Sequence, residues 1–375
     1  MSSQAFFPSQ QESHWSAAVS VAGAAVWAVL AALAGFHQAR FGIIELLFLF
    51  ATLVVVPLGL ELVRTLEDPI RVPLGRLLRP FQIVATLSVC IALWIPPGRA
   101  SAVLSGLWLM LCGVLAGSRF LRWRRKQWSL LSFILDVAHA DLVLGAAWLV
   151  ISRAGFRPMG FQEPIILLTA VHFHYSGFAT ALIGAATLRE FERRGFHLQG
   201  LRLLVLLIVL LPFVLAAGFV FSPLLRFGAA LALSASVTVL AAILLRAAAN
   251  LRSRPARIYM RTAGCSALAA FALAGLYAVS EYFAKGWITV PGMANSHGIL
   301  NSLGFVLLAL LAWLTELHGS DPGGERRKDP VRDQRKAELG PAARGVIPSK
   351  DDRERRPHRQ PSPLPEFVAR DFYDR

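Results

Sequence analysis

Apolar runs of membrane-spanning length constrain this chain more than any other feature. A helix of roughly 20 residues crosses the hydrocarbon core of a bilayer, and ten runs of about that length follow one another along the sequence. A soluble chain carries roughly 25% charged residues, whereas this chain carries 16%, mostly between the runs and in a C-terminal tail. The sequence therefore predicts an all-α, polytopic integral membrane protein with about ten transmembrane helices.

The third run, between Pro80 and Pro96, is the shortest. If the chain had fewer than ten spans, this run would be the first to be omitted. The predicted spans are Trp15–Phe36, Gly42–Val63, Phe81–Ile95, Ala100–Ser118, Trp128–Ile151, Pro164–Leu188, Leu201–Phe221, Leu224–Ala249, Ile258–Tyr282 and Met293–Leu317.

The charges between the spans predict the orientation of the chain. Loops after even-numbered spans carry 17 lysines and arginines, and loops after odd-numbered spans carry 6. Basic residues are retained on the cytoplasmic side of membrane proteins. Both termini are therefore predicted to be cytoplasmic, and the loss of one span would scramble the alternation downstream of it.

Composition divides the chain into three parts. Residues 1–14 form a short cytoplasmic segment, residues 15–317 the transmembrane domain, and residues 318–375 a polar tail predicted to be disordered in the cytoplasm. Most of the net charge of +15 lies in basic loops that are expected to face the lipid bilayer from the cytoplasm, so no nucleic-acid partner is expected. Because only 5 of the 38 basic residues are lysine, we expect a GC-rich bacterial genome. Together with the apolar spans, this predicts a multi-pass protein of the bacterial inner membrane.

Polar side chains inside the spans are the candidate functional residues, because charged and imidazole groups are costly at membrane depth. Span six carries His172 and His174, which are about 200° apart on a regular helix, so only one of them can face a given pocket. Span ten carries His297 and Asn301 on one face. The predicted intramembrane polar site comprises Glu45, Glu163, His172, His174, His297 and Asn301.

A second group of polar side chains is predicted in the inner half of span five. It comprises Asp136, His139 and Asp141, and its Asp-x-x-His-x-Asp spacing offers ligands of the kind that zinc accepts.

Three blocks of sequence resemble the YndJ-like family of bacterial multi-spanning membrane proteins. They are GIIELLFLFATLVVVPLGL at 42–60, EPIILLTAVHFHYSGF at 163–178 and HGILNSLGF at 297–305, within a similarity that extends from about residue 38 to 316. The resemblance implies that Glu45, His172, His174, His297 and Asn301 lie in signature blocks, and it carries the family's label of transporter.

Three classes of function remain open from the sequence. A transporter or permease for a small molecule or ion could use the histidines and carboxylates to move protons. A membrane redox or metal enzyme could bind haem or zinc, with His172, His174 and His297 as the candidate metal ligands. A non-catalytic scaffold or sensor that signals through the tail is the third, and the cofactor is left open.

Overall fold

The computed structural model describes residues 10–36, 41–67, 75–123, 129–196 and 198–318, and everything regular in these ranges is helical. The predicted all-α class is thereby confirmed. The tail at 319–375 and residues 1–9 lie outside the described residues, so the predicted disorder of the tail stays a prediction.

Ten helices follow the order of the ten predicted spans within the described ranges. Nine of them are long and apolar enough to cross a membrane. In α3 the apolar part is confined to Leu78–Trp94, a shorter stretch than the other nine offer. The helices are α1 (Gln10–Gly35), α2 (Ile43–Leu66), α3 (Gly75–Trp94), α4 (Arg99–Trp123), α5 (Leu130–Ala154), α6 (Ile165–Arg193), α7 (Gln199–Phe221), α8 (Pro223–Ala248), α9 (Arg254–Tyr282) and α10 (Val290–His318).

Several helices extend beyond their predicted spans, and two of these extensions have a local explanation. Helix α3 begins at Gly75 and continues through Pro80, because a proline near the start of a helix removes only one early backbone bond. Helix α6 continues past Leu188 to Arg193, where the Glu190 carboxylate accepts hydrogen bonds from Arg193 and from Arg194, which follows the helix. Such pairs three and four residues apart support the end of a helix in water.

Helices α2 and α6 form the centre of the bundle. Of their apolar windows 83% and 72% are buried, against 11% for α1, which therefore lies at the periphery. Both central helices and α10 contain π-helical segments, at Ala51–Val55, Phe173–Ala179, Ala294–Gly298 and Leu300–Val306. These segments contact one another across the three helices. A π-turn widens the helix and is frequent at functional sites.

The ends of the helices pair as an alternating topology requires. At the end of α10, the Glu316 carboxylate accepts hydrogen bonds from the backbone N–H groups of Arg252 and Ser253, between α8 and α9. At the opposite ends, Arg226 of α8 contacts Glu281 of α9. The first pair lies on the side that the charge pattern places in the cytoplasm, and the second lies on the side that it places outside.

The predicted orientation is open to a direct test with reporter fusions. A fusion at Arg124, between α4 and α5, is expected to report the cytoplasm, and one at Arg157, between α5 and α6, the outer side, because the basic loops are retained inside. A phosphatase and a fluorescent-protein reporter at each position provide the measurement. Finding both positions in one compartment would rule out this topology.

Candidate functional site

A cavity of about 250 Å³ lies among five helices of the bundle. Its walls come from α6, α7, α8, α9 and α10, and Leu47 of α2 contributes to one side. Most of the wall is aliphatic or aromatic. The polar side chains on it are Thr169, His172, Tyr175, Ser176, Arg226, Ser234, Tyr277, Glu281, His297 and Asn301.

His172 faces this cavity from the middle of α6. It lies seven residues after the helix begins at Ile165, a depth of about 10 Å at the rise of an α-helix. Its Nδ1 is 2.7 Å from the Leu168 carbonyl oxygen, which can only accept, so Nδ1 carries the proton in that bond. The side chain is exposed despite its depth, which leaves Nε2 as the ring nitrogen available to the cavity.

His297 and Asn301 face the same cavity from α10. His297 also lies seven residues into its helix, and its Nδ1 donates to the Ala270 carbonyl oxygen of α9 at 2.8 Å. The ring packs edge-on against Phe271, with centroids 5.4 Å apart. Asn301 is 6% exposed, and its Oδ1 has no hydrogen-bond partner among the described residues. The cavity is therefore lined by two imidazoles at similar depth and by one amide whose oxygen has no partner among the described residues.

His174 points away from the cavity, towards α4 and α5. Its Nδ1 donates to the Ala170 carbonyl oxygen at 2.8 Å, and its Nε2 accepts a hydrogen bond from the indole N–H of Trp108 at 3.1 Å. Both side chains are fully buried, and the His174 ring lies directly over Gly145 of α5. With both nitrogens engaged, His174 holds helices together.

The predicted carboxylates Glu45 and Glu163 do not line the cavity either. The Glu163 carboxylate accepts hydrogen bonds from Ser152 at 2.5 Å and from the Leu167 backbone at 3.2 Å, at the start of α6. Glu45 lies in the first turn of α2. Of the six residues predicted for one site, the structure brings three together: His172, His297 and Asn301.

An ion pair that the sequence did not predict lies at the end of the cavity where α8 begins and α9 ends. Arg226 Nη2 lies 3.0 Å from Glu281 Oε1, and the Arg226 guanidinium stacks 4.9 Å above the Phe219 ring. Arg226 lies in the first turn of α8, and the sequence indicates it only as the lone basic residue near the connection between the seventh and eighth spans. Glu281 comes from a helix more than fifty residues further on.

The group predicted on α5 does not form one cluster. Asp136 Oδ1 accepts a hydrogen bond from Arg119 at 2.7 Å, near the C-terminal end of α4. His139 Nδ1 donates to the Leu135 carbonyl oxygen at 2.7 Å. Asp141 instead lies against Gly177 of α6. Their spacing distributes these side chains over different faces of α5, so they reach different neighbours.

The metal-binding and hydrogen-bonding capacity of the cavity can be read from the geometry of its imidazoles. No group of three or more histidine, cysteine or acidic side chains comes together in the described ranges. His172 and His297 each donate through Nδ1 to a backbone carbonyl, which orients the ring and leaves Nε2 for a ligand. In the neutral ring that nitrogen accepts a hydrogen bond.

Comparisons with known proteins agree with the resemblance seen in the sequence. A family model described as YndJ-like protein matches residues 46–305, a range that includes the two cavity histidines and begins just after Glu45. A Bacillus subtilis (strain 168) protein described as uncharacterized membrane protein YndJ is 27% identical over 172 residues, which cover 46% of this chain and 31% of that protein. The match thus spans about a third of the relative's length. No solved structure matches the chain significantly.

Proposed function

The chain belongs to the YndJ-like protein family and is a multi-pass membrane protein, and from that premise we propose that it is a transporter or permease for a small molecule. The cavity between α6 and α10 is its substrate site. The observation that carries the proposal is the pair of histidines, His172 and His297, at similar depth on the wall of that cavity. Polar groups at membrane depth are costly and are retained where they line a pathway or bind a ligand.

The shape and chemistry of the cavity limit the substrate. Small-molecule sites have volumes upward of roughly 300 Å³, so a cavity of about 250 Å³ suits a compact molecule. The aliphatic and aromatic wall suits an apolar body. His172, His297 and Asn301 suit one polar group that donates hydrogen bonds.

We expect the cavity to be accessible to water-soluble reagents from the outer side of the membrane. In a variant without the native cysteines, Ser176→Cys is expected to react with a small, membrane-impermeant thiol reagent added outside intact cells. Thr187→Cys provides the matched control, because Thr187 is on the same helix, fully buried and absent from the cavity wall. Equal protection of the two cysteines would contradict an outward-open cavity.

Transport itself is tested by comparing what cells accumulate or lose. Cells that express the wild type are expected to differ from His297→Ala cells in at least one small molecule, measured by mass spectrometry of cells and medium at equal protein levels. The variant should insert normally, because hydrogen bonds between membrane helices average only about 0.6 kcal/mol. Identical profiles for wild type, variant and empty vector would reject transport. A haem band in the visible spectrum of the purified protein would instead favour the redox enzyme.

A further inference from the structure

Asp141 is the most unusual side chain of the bundle outside the cavity. It occupies the middle of α5, and it is 0% exposed. Neither carboxylate oxygen has a hydrogen-bond partner among the described residues. Buried charges in proteins are paired or bind ions, because the free energy of an isolated buried carboxylate is prohibitive. Asp141 therefore requires an explanation that packing does not supply.

The carboxyl group of Asp141 lies over Gly177 in the π-helical segment of α6. A methyl group added at Gly177 would be 2.5 Å from the Asp141 Cγ atom and 2.7 Å from Oδ2, so only glycine fits beneath this carboxyl group. One residue earlier, Ser176 lines the cavity. Consecutive residues of α6 thus contact the cavity and Asp141, and the π-helical segment lies between the two.

No charged or titratable group described on α5 or on the helices packed against it bonds to Asp141. On its own helix, Asp136 pairs with Arg119 and His139 donates to a backbone carbonyl, while Arg153 lies at the far outer end. The helices packed against α5 are α4, α6 and α7. Most charged and titratable side chains described on these three helices have a hydrogen-bond or ion-pair partner other than Asp141. The pairs are Arg119 with Glu67, His174 with Trp108, Tyr175 with the Leu47 carbonyl, Arg189 with the Thr65 carbonyl, Glu190 with Arg193 and Arg194, and Arg202 with Glu192. The remaining described charged and titratable groups on these helices are Arg99 at the start of α4, the Cys112 thiol, and His172 on the cavity side of α6. None of these groups bonds to Asp141.

We propose that Asp141 is a proton-binding site within the membrane, distinct from the cavity and coupled to the packing of α5 against α6. When the two helices are packed as they are here, one Asp141 oxygen holds a proton taken from water, and the group is a neutral acid. When the helices separate at Gly177 and water enters, the acid releases that proton to water and the carboxylate is solvated. The proposal does not depend on the transported substrate, so it can fail while the proposed function stands.

Infrared spectroscopy tests the protonation directly. The purified full-length protein in lipid nanodiscs at neutral pH is expected to show the carbonyl stretch of a protonated carboxylic acid, and Asp141→Asn is expected to lose that band. Asp136→Asn serves as the matched control, because Asp136 is ion-paired with Arg119 and should contribute no such band. A spectrum of Asp141→Asn identical to that of the wild type would overturn the proposal.

Isotope labelling provides a second measurement that requires no variant. Between residues 15 and 317 the chain contains only three aspartates, Asp68, Asp136 and Asp141. In wild-type protein labelled with ¹³C at the aspartate side-chain carboxyl group, the acid band is expected to move to lower frequency. If no acid band moves, every aspartate is ionised and the proposal fails, whether or not Asp141→Asn folds.

Discussion

Replacing Gly145 by valine is expected to remove most of the folded monomer from detergent extracts. A Cβ atom at Gly145 would lie 2.5 Å from His174 Nδ1 and 3.1 Å from the Ala170 carbonyl oxygen. The imidazole would have to move, and it would lose its bonds to Ala170 and Trp108. Because His174 and Trp108 are both fully buried, water cannot replace the lost hydrogen-bond partners.

Two costs combine in this variant. Inserting carbon atoms into a packed interior destabilises a protein by about 1–3 kcal/mol. A buried polar group without a partner costs roughly 1–3 kcal/mol more. The sum, about 2–6 kcal/mol, is a large fraction of the stability of a typical domain, which is roughly 5–15 kcal/mol.

Thermal unfolding followed by size-exclusion chromatography measures the effect. Gly113→Val in α4 is the matched control, since no atom lies within 4 Å of a Cβ atom built at Gly113. The control should unfold close to the wild-type temperature. If Gly145→Val unfolded there too, the close packing of His174 over α5 could not be a feature of the folded protein.

The second large effect is expected at Arg119, near the C-terminal end of α4. Its Nη1 donates to Glu67 at 2.6 Å and its Nε to Asp136 at 2.7 Å, and only 6% of the Arg119 side chain is exposed. Removing one partner of a buried ion pair costs about 3–5 kcal/mol, because it leaves uncompensated charge in a poorly solvated place. Arg119→Met, which keeps the aliphatic volume, is therefore expected to lower the unfolding temperature strongly.

Arg202→Met is the matched control for Arg119→Met. The ion pair of Arg202 with Glu192 is equally short, 2.7 Å, but about a third of each side chain is exposed. Exposed pairs contribute roughly 0–1 kcal/mol, so the control should change the unfolding temperature little. Equal losses in the two variants would show that burial does not determine the strength of these pairs.

The segments that span the membrane could be read from the sequence, because lipid demands long apolar runs and helical backbone bonding. Each described helix overlaps one predicted span, and the alternation of basic loops agrees with how the helix ends meet. The histidines were also visible as candidates, since an imidazole at membrane depth is costly wherever it lies. These inferences depend on single residues and their local neighbours.

The direction in which each polar side chain points was decided only by tertiary structure. A helical wheel separates His172 from His174, but only the neighbouring helices determine that one faces the cavity and the other Trp108. The π-helical segment at Phe173–Ala179 further changes the angles on which such a wheel depends.

Pairings between distant residues were equally hidden in the sequence. Arg226 contacts Glu281, and Asp141 lies against Gly177, although both pairs are too far apart in the sequence for helical periodicity to predict them. Local sequence determines what a helix can present to its surroundings. The packing of several helices determines which side chains come into contact and which carboxylate has no hydrogen-bond partner among the described residues.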